Sequence, residues 1–183
     1  MDKQDKQIRR VYIDQGHGGL DPGKLANGLV EADLNLLTAK HTADRLHSRG
    51  MEVLLARRPG VQLHKTPNGE RVRRILEANT WKADAYVSIH YNGSGGRGTE
   101  TFAQLYDEAS HALALAVQSA VVGALGTVNR GVRFREWADR VIVHPATFPP
   151  GGRDYYQVLR DTDMPAVIVE VCFLDNAADA AIA

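Results

Sequence analysis

The chain has 183 residues, and its 22 Lys plus Arg balance 22 Asp plus Glu, which makes it formally neutral. A hydrophobic fraction of 44% and a charged fraction of 24% exclude a disordered or fibrous protein and fit one domain with a hydrophobic core. The neutral charge and the lack of a long basic run argue against nucleic-acid binding. We interpret the short basic groups RRVY (9–12) and RVRR (71–74) as solvated surface.

The cysteine count and the apolar runs exclude further classes. Cys172 is the single cysteine, so an internal disulfide framework or a multi-cysteine metal cluster is excluded. The first ten residues, MDKQDKQIRR, lack the apolar stretch of a secretory signal. No run approaches the roughly 18 apolar residues of a membrane span, so we expect none.

The first part of the chain predicts a strand–helix–strand unit. A short β-branched strand is predicted at 10–14, and a loop rich in Gly and Pro follows it. From Ala32, apolar residues recur in steps of 4, 3, 4 and 3, which predicts a helix that ends near Gly50. Residues 51–57 then read as a buried strand, and units of this kind build parallel sheets.

The remaining elements alternate in the same way, apart from one long Pro-containing segment (132–157) that the pattern leaves unassigned. They are a loop at 58–70, a helix at 71–82, strands at 84–90 and 99–105, a helix at 108–125 and a last strand at 165–173. The last strand is too apolar for an edge and is predicted to be central. The fold class is therefore α/β, a single domain with a mixed or mostly parallel central sheet and helices on both faces.

Polar residues stand where the predicted strands have no structural use for them. His17 follows the first strand, His90 closes the strand at 84–90, and Glu170 lies inside the apolar last strand. Glu31 starts the first helix. Because ligands gather at the carboxyl ends of parallel strands, these side chains can meet there. Two imidazoles and a carboxylate make a catalytic zinc site, and a further glutamate is the natural general base.

Each of these residues also has a structural interpretation. A single histidine near a strand end is more often structural than a metal ligand. Glu31 could be a first-turn carboxylate favoured by the helix dipole. Glu170 is the most informative of the set, because a carboxylate in a central strand is costly unless it is paired, protonated or linked to a metal.

Several segments in register carry a family resemblance across residues 11–176. They read VYIDQGHGG, GLVEADLNL, ADAYVSIHYN, GTETF, NRGVR and MPAVIVEVCFLDN. The set resembles the zinc-dependent N-acetylmuramoyl-L-alanine amidases of the third type, which include bacterial cell-separation enzymes and phage endolysins. The resemblance implies that His17, Glu31 and His90 bind zinc and that Glu170 is the catalytic glutamate. It also implies hydrolysis of the amide between N-acetylmuramic acid and L-alanine in peptidoglycan.

Other residues of these segments are candidates for substrate binding. Asn92, Glu100, Asn129 and Arg130 are predicted to line the groove, with structural roles in loops or in the fold as the alternative. Cys172 lies two residues from Glu170 and is expected on the same face of the strand. A nucleophilic role for this cysteine is disfavoured, because nothing nearby supplies the usual partners.

The sequence departs from the family pattern in two places. Gln15 replaces the proline of the first motif, which we expect to loosen a turn without removing a ligand. A long insertion (134–157) follows NRGVR and carries Trp137, His144, Tyr155 and Tyr156. One interpretation is a surface hairpin whose aromatic side chains seal a small satellite core. The other is a wall of the substrate groove that packs on glycan or stem peptide.

The resemblance also sets expectations about organisation and context. Residues 1–183 are interpreted as one catalytic domain, and the resemblance leaves open whether the family's C-terminal helix and a wall-binding module lie beyond them. No insertion of the blocking-helix type occurs, so an open site and an endolysin-like monomer are expected. We expect synthesis in the cytoplasm and action on the cell wall, or secretion if a signal has been removed. The alternatives are a zinc peptidase that cuts within the stem peptide and a non-catalytic peptidoglycan-binding module.

Overall fold

The structure, a computed structural model, describes residues 7–137, 140–143 and 151–183. The strands are β1 (Arg10–Gln15), β2 (Leu25–Ala26), β3 (Leu29–Val30), β4 (Glu52–Leu55), β5 (Ala85–Asn92), β6 (Thr99–Ala103), β7 (Asn129–Glu136), β8 (Arg140–Ile142) and β9 (Ala166–Phe173). The helices are α1 (Glu31–His47), α2 (Pro67–Trp81), α3 (Glu108–Leu125), α4 (Gln157–Arg160) and α5 (Ala177–Ala180).

A seven-stranded mixed sheet in the order β4-β1-β5-β9-β6-β7-β8 forms the centre of the molecule. The first four strands in this order are parallel to one another, β6 runs antiparallel to β9, and β8 runs antiparallel to β7. The fold class predicted from the sequence is confirmed, and β9 is central as expected. Because β1, β5 and β9 are parallel, their carboxyl ends lie at one edge of the sheet.

Helices cover both faces of the sheet because its strands are apolar on both sides. On one face, Ala39 of α1 and Ala114 of α3 pack against a cluster that includes Ile13 and Val167. The core of the other face joins residues of β1, β5, α2 and α4, namely Tyr12, Tyr86, Ile75, Ala78, Val158 and Leu159. Burial of each large apolar side chain contributes roughly 2 kcal/mol.

The start of the second helix differs from the prediction. Helix α2 begins at Pro67 rather than at residue 71, so the loop predicted at 58–70 ends earlier. The hydroxyl of Thr66 accepts a hydrogen bond from the backbone N–H of Gly69, and Pro67 occupies the first turn. Both residues are common at helix starts, so the Thr-Pro pair carries a signal that apolar periodicity does not.

Helix α3 is, within the described ranges, the one helix long and apolar enough to cross a membrane by length and composition alone. It packs on the sheet through polar bonds as well as apolar contacts. The amide of Gln118 donates to the carbonyl of Thr99 at 2.8 Å and accepts from the hydroxyl of Thr101 at 2.7 Å. The hydroxyl of Ser110 accepts from the backbone N–H of Ala166 at 2.9 Å.

The segment that the sequence left unassigned contains an antiparallel hairpin of β7 and β8. The chain then returns beside β7, where Glu136 and Asp154 form an isolated antiparallel bridge. The buried carboxylate of Asp154 accepts a hydrogen bond from the backbone N–H of Leu105 at 3.0 Å. The insertion therefore contributes a hairpin that extends the central sheet, and His144 lies outside the described residues.

The prediction that Cys172 shares a face with Glu170 is wrong. The register of β5 against β9 shifts between His90 and Asn92, and past this irregularity Cys172 packs in the cluster that contains Val171. Glu170 instead lies on the groove side of the strand. Burial raises the pKa of the Cys172 thiol to about 12, which agrees with the expected lack of a nucleophilic role.

Candidate metal and catalytic site

Three side chains from separate elements converge at the carboxyl edge of the sheet. The Nε2 atom of His17 lies 3.1 Å from Oε1 of Glu31, and Nδ1 of His90 lies 3.0 Å from the same oxygen. Their possible ligand atoms all lie within 4.8 Å of one another. The structure therefore brings together the three residues predicted to bind a metal.

The loop after β1 aims the His17 ring. His17 has a φ of 61°, a left-handed conformation that turns the chain sharply at the end of the strand. Its Nδ1 atom lies 2.9 Å from Oδ2 of Asp21, which leaves Nε2 to face Glu31. A carboxylate that holds the second nitrogen of a metal-binding histidine fixes both ring orientation and tautomer.

Two glycines make room for this convergence. A Cβ atom at Gly16 would overlap the imidazole of His90. Gly23 has a φ of 67°, and a Cβ atom there would lie 2.5 Å from Oε2 of Glu31 and 2.7 Å from the His17 ring. The backbone therefore approaches the site closely at both glycines, and a side chain at either position would displace a candidate ligand.

Gln15 does not loosen the turn, contrary to the sequence-based expectation. Its side chain is fully buried, its Nε2 donates to the carbonyl of Arg57 at 3.2 Å, and its Oε1 accepts from the N–H of Arg57 at 2.8 Å. The side-chain amide thus satisfies both the N–H and the carbonyl of Arg57, as the backbone of a paired strand would. The last paired residues of β1 and β4 are Ile13 and Leu55, and beyond them these two bonds tie the end of β1 to the chain that follows β4.

The electrostatics of Glu31 fit a bound cation. The carboxylate is buried, but it accepts hydrogen bonds from the backbone N–H groups of Lys24 at 2.7 Å and Tyr91 at 3.2 Å. Although burial opposes ionisation, the two imidazoles and these donors hold the pKa of Glu31 far below its usual range. An ionised carboxylate between two imidazoles is the donor set that zinc prefers at catalytic sites.

The imidazole of His17 responds to the same carboxylates. Burial lowers its pKa, but Glu31 and Asp21 outweigh this effect and raise it to about 9. Without a metal, a proton on His17 therefore offsets part of the buried negative charge. A metal cation would occupy the same position and displace that proton, since metal ligands must be deprotonated.

Glu170 lies across from this cluster in a different environment. It pairs in register with His90 on the adjacent strand, and its Oε2 atom is buried without a hydrogen-bond partner within the described part of the chain. Burial raises the pKa of Glu170 to about 7, and the carboxylates of Glu31 and Glu100 add to the effect. A carboxylate with a pKa near neutrality can both accept and return a proton.

A groove of about 740 Å³ runs over these residues. Its floor contains His17, His90 and Glu170. One wall is the beginning of α2, where His64, Lys65, Thr66, Pro67, Asn68 and Arg71 contribute. The sequence prediction missed this wall, because it treated 58–70 as an ordinary loop and Arg71 as solvated surface.

The other wall comes from the insertion and contains Trp137, Tyr155 and Tyr156. The indole of Trp137 is 57% exposed, and the guanidinium carbons of Arg153 and Arg160 lie 5.0 and 5.2 Å from its centre. The structure thus places these aromatic residues at the groove, as the second interpretation of the insertion predicted. The arginines against the ring also give this wall a cationic character.

The four predicted substrate-binding residues lie elsewhere. Glu100 forms ion pairs with Arg130 at 2.7 Å and Arg133 at 2.8 Å, and it accepts from the amide of Asn92 at 3.0 Å. Asn129 accepts a hydrogen bond from Gln118. Within the described ranges, Asn92, Glu100, Asn129 and Arg130 are absent from the groove lining, so their contact with substrate stays a prediction.

The interpretation of both basic groups as solvated surface is wrong in part. In RVRR, Arg71 is exposed, but Arg74 is only 4% exposed and Arg73 is half-buried. Tyr12 of RRVY is fully buried in the core. Arg73 and Arg74 both bond to Glu70, which retains its ionised form because these guanidinium groups hold its pKa near 2 against the effect of burial.

Two imidazoles and a carboxylate converge at the end of the sheet, and a second carboxylate with a raised pKa, that of Glu170, lies beside them. This arrangement is typical of a metal-dependent hydrolase. Comparison with known proteins identifies the family within this class. Residues 11–183 match the family model described as N-acetylmuramoyl-L-alanine amidase. The chain therefore belongs to the N-acetylmuramoyl-L-alanine amidase family, whose members hydrolyse cell-wall peptidoglycan. The predicted family, fold class and enzyme class are confirmed.

Individual relatives agree with this assignment. The chain is 36% identical to the uncharacterised protein YqiI of Bacillus subtilis, covering 94% of the chain and 73% of YqiI. It is 34% identical to the N-acetylmuramoyl-L-alanine amidase CwlM of Bacillus licheniformis, covering 93% of the chain and 59% of CwlM. Among solved structures, the catalytic domain of the amidase CwlV from Bacillus (Paenibacillus) polymyxa matches with a TM-score of 0.74 at 31% identity, covering 95% of the chain and 86% of that domain.

Proposed function

We propose that this chain is a zinc-dependent amidase that hydrolyses the bond between the lactyl group of N-acetylmuramic acid and L-alanine. The observation that carries the proposal is the convergence of His17 and His90 on one oxygen of Glu31, with Glu170 facing them in the same groove. The names of relatives such as CwlM support the choice of bond.

The metal would be held by His17, Glu31 and His90. A zinc ion in such a site acts as a Lewis acid toward the scissile carbonyl and lowers the pKa of a bound water toward neutrality. Asp21 keeps the His17 ring in the orientation that directs Nε2 toward Glu31. The glycines at positions 16 and 23 keep the space around the ligands free of side chains.

Glu170 carries the proton transfers. Its buried Oε2 accepts a proton from the attacking water while the water oxygen adds to the carbonyl carbon of the lactyl group. When the C–N bond breaks, the same carboxyl group donates that proton to the leaving amine of L-alanine. A pKa raised to about 7 by burial suits both steps, because the group is neither too weak a base nor too weak an acid at neutral pH.

The two walls of the groove suit the two parts of the substrate. At the beginning of α2, Lys65 and Arg71 are exposed in the groove, and the ion pairs of the described residues do not include them. We infer that this wall faces the carboxylates of the stem peptide. The wall of Trp137 and Tyr155 then faces the glycan side of the scissile bond. The cell wall is accordingly the proposed site of action.

Mass spectrometry of digested peptidoglycan tests the reaction. Purified peptidoglycan is incubated with the protein, with the chelated protein and with the chelated protein after zinc is restored, and Glu170→Gln serves as the inactive control. We expect free stem peptides with L-alanine at the amino terminus only when zinc is present.

Two other results would contradict the proposal. New amino termini within the stem peptide would identify a zinc peptidase. Sedimentation of the protein with the wall without release of any fragment would identify a binding module.

A further inference from the structure

A buried ionic network lies directly beneath the candidate metal ligands, and the reaction proposed above does not use it. Its centre is Arg74 of α2, which is 4% exposed and contacts the loop that carries His17. We infer that Arg74, together with Arg57, is a positioning residue that sets the metal affinity of the site by holding the three ligand-bearing segments in place. The inference rests on the proposed metal site.

Arg74 fixes the backbone on both sides of the turn to His17. Its Nη1 donates to the carbonyl of Gln15 at 3.0 Å, and its Nη2 donates to the carbonyl of His17 at 2.8 Å. Its Nε donates to Glu70 at 3.0 Å, so every nitrogen of the guanidinium has a partner. A planar guanidinium can span three such acceptors, whereas the single nitrogen of a lysine cannot.

The same guanidinium is linked to the strand that carries His90. Nη1 of Arg74 lies 2.5 Å from Oδ1 of Asp14, and the buried carboxylate of Asp14 also accepts from the hydroxyls of Tyr86 and Ser88 at 2.8 Å. Tyr86 and Ser88 belong to β5, and Ser88 precedes His90 by two residues. The Arg74–Asp14 pair therefore connects the end of β1 to the first half of β5.

Arg57 makes the corresponding connection to the helix that carries Glu31. Its Nη2 donates to the carbonyl of Ala32 at 2.7 Å and lies 3.4 Å from the carbonyl of Gly16. These two carbonyls are adjacent in sequence to Glu31 and His17, respectively. The two arginines thus bond to the backbone beside His17 and Glu31, and the link to the strand of His90 runs through the carboxylate of Asp14.

The cost of burying charges makes a purely stabilising role a poor explanation. A buried ion pair is often no better for stability than apolar residues of similar size. Nη1 and Nη2 of Arg74 and Nη2 of Arg57 donate to carbonyls of the ligand-bearing segments, where they restrict backbone movement, whereas Nε of Arg57 is buried without a partner among the described residues. Changing residues that orient metal ligands typically weakens metal affinity by about 10- to 100-fold.

Arg73 provides a matched control on the same helix. Like Arg74, it bonds to Glu70, and it also bonds to Glu77 and to the carbonyl of Ala56. None of its bonds reaches the segments that carry His17, Glu31 or His90. Arg73→Lys should therefore disturb α2 and its ionic network without disturbing the metal site.

The test compares zinc dissociation constants of wild type, Arg74→Lys and Arg73→Lys by competition with a chromophoric chelator. The thermal midpoints of the metal-free proteins are measured by circular dichroism in parallel. We expect Arg74→Lys to bind zinc about 10-fold or more weakly and Arg73→Lys to stay within about twofold of wild type. Unchanged affinity in Arg74→Lys, or equal losses in both variants, would overturn the inference.

A second variant covers the case in which Arg74→Lys does not fold. Arg57→Lys removes the bridge between Gly16 and Ala32 from the other side, and it should also weaken zinc binding. Unchanged affinity there would equally overturn the inference. Hydrolysis by the wild-type protein is measured separately, so that a protein that binds zinc without cleaving peptidoglycan contradicts the proposed reaction and not the role of Arg74.

Discussion

Two carboxylates, Glu31 and Glu170, lie beside His90, and their surroundings have opposite effects on their charge. Glu31 is surrounded by two imidazoles and two backbone donors, and its pKa is far below the usual range. Glu170 is half-buried, its Oε2 is buried without a partner among the described residues, and its pKa rises to about 7. Burial alone therefore does not determine the charge of a carboxylate. Removal from water raises its pKa, and the hydrogen-bond donors that face it determine whether it is ionised nonetheless.

This contrast assigns a different role to each region. The region of His17, Glu31 and His90, here called the ligand end, concentrates donors suited to a cation. The region around Glu170 on β9, here called the base end, lacks partners for its Oε2 among the described residues and keeps its proton affinity high. If the assignment is right, changes at the two ends should have separable effects on metal binding and on turnover.

The largest expected effect is the loss of a ligand. His90→Ala or His17→Ala should abolish both zinc binding and hydrolysis, because two remaining donors cannot hold the ion. Metal content after dialysis and release of stem peptides measure the two effects. His111→Ala is the matched control, since His111 lies on α3 against Phe134 and outside the groove lining. A His90 variant that keeps its zinc would exclude His90 as a required ligand.

At the base end, Glu170→Gln should separate the two properties. We expect zinc affinity close to that of wild type and a turnover lower by roughly 10²- to 10⁴-fold, the usual contribution of a general base. The amide keeps the shape of the side chain but cannot accept the proton of water. Full turnover by this variant would exclude Glu170 as the base.

The same substitution should change the pH dependence of stability. Since the pKa of Glu170 is raised from 4.5 to about 7 in the folded protein, the folded state holds this proton more tightly than the unfolded state does. Its contribution to stability is therefore lost as pH rises from about 4.5 to 7, by about 3 kcal/mol in all. Metal-free Glu170→Gln should be the more stable protein at pH 8 and nearly equal to wild type at pH 4. Chemical denaturation at both pH values tests this, and parallel stability profiles of the two proteins would contradict it.

The smallest expected effect concerns the aromatic wall. Trp137→Ala should raise KM for polymeric peptidoglycan several-fold, by about 1 kcal/mol of binding, and leave kcat unchanged, because the indole lines the groove but is neither a proposed metal ligand nor the proposed base. Short muramyl peptides should be affected less. Leu115→Ala serves as the control, since this exposed side chain lies on α3. Unchanged KM for both substrates would identify the wall as structural only.

The sequence predicted those site residues that are polar but lie next to or within apolar strands. His17 and His90 follow apolar strands, and Glu170 interrupts one, so their types are visible against the local pattern. The fold class was predicted for the same reason, because strand and helix periodicities alternate clearly. Resemblance to the amidase family then selected one interpretation from several.

The parts that the sequence did not predict depend on partners far along the chain. Arg74 reads as a surface residue in RVRR, and only its contacts with Asp14 and His17 show that it is internal. Nothing in the sequence around Gln15 indicates the two bonds that its side chain makes to the backbone of Arg57. Cys172 was placed on the wrong face because a register shift in β9 breaks the alternation that the prediction assumes.

The strand order also determines when the central sheet can be completed during synthesis. Strand β9 pairs with β5 on one side and β6 on the other, so it joins the β4-β1-β5 half of the sheet to the β6-β7-β8 half. A ribosome delivers this central strand only after all the others have emerged, and the two half-sheets stay unconnected until then. Because Glu170 arrives on that strand, the group proposed to activate water is delivered together with the strand that completes the fold. A partly made chain therefore lacks both the proposed base and the strand that joins the two halves of the sheet.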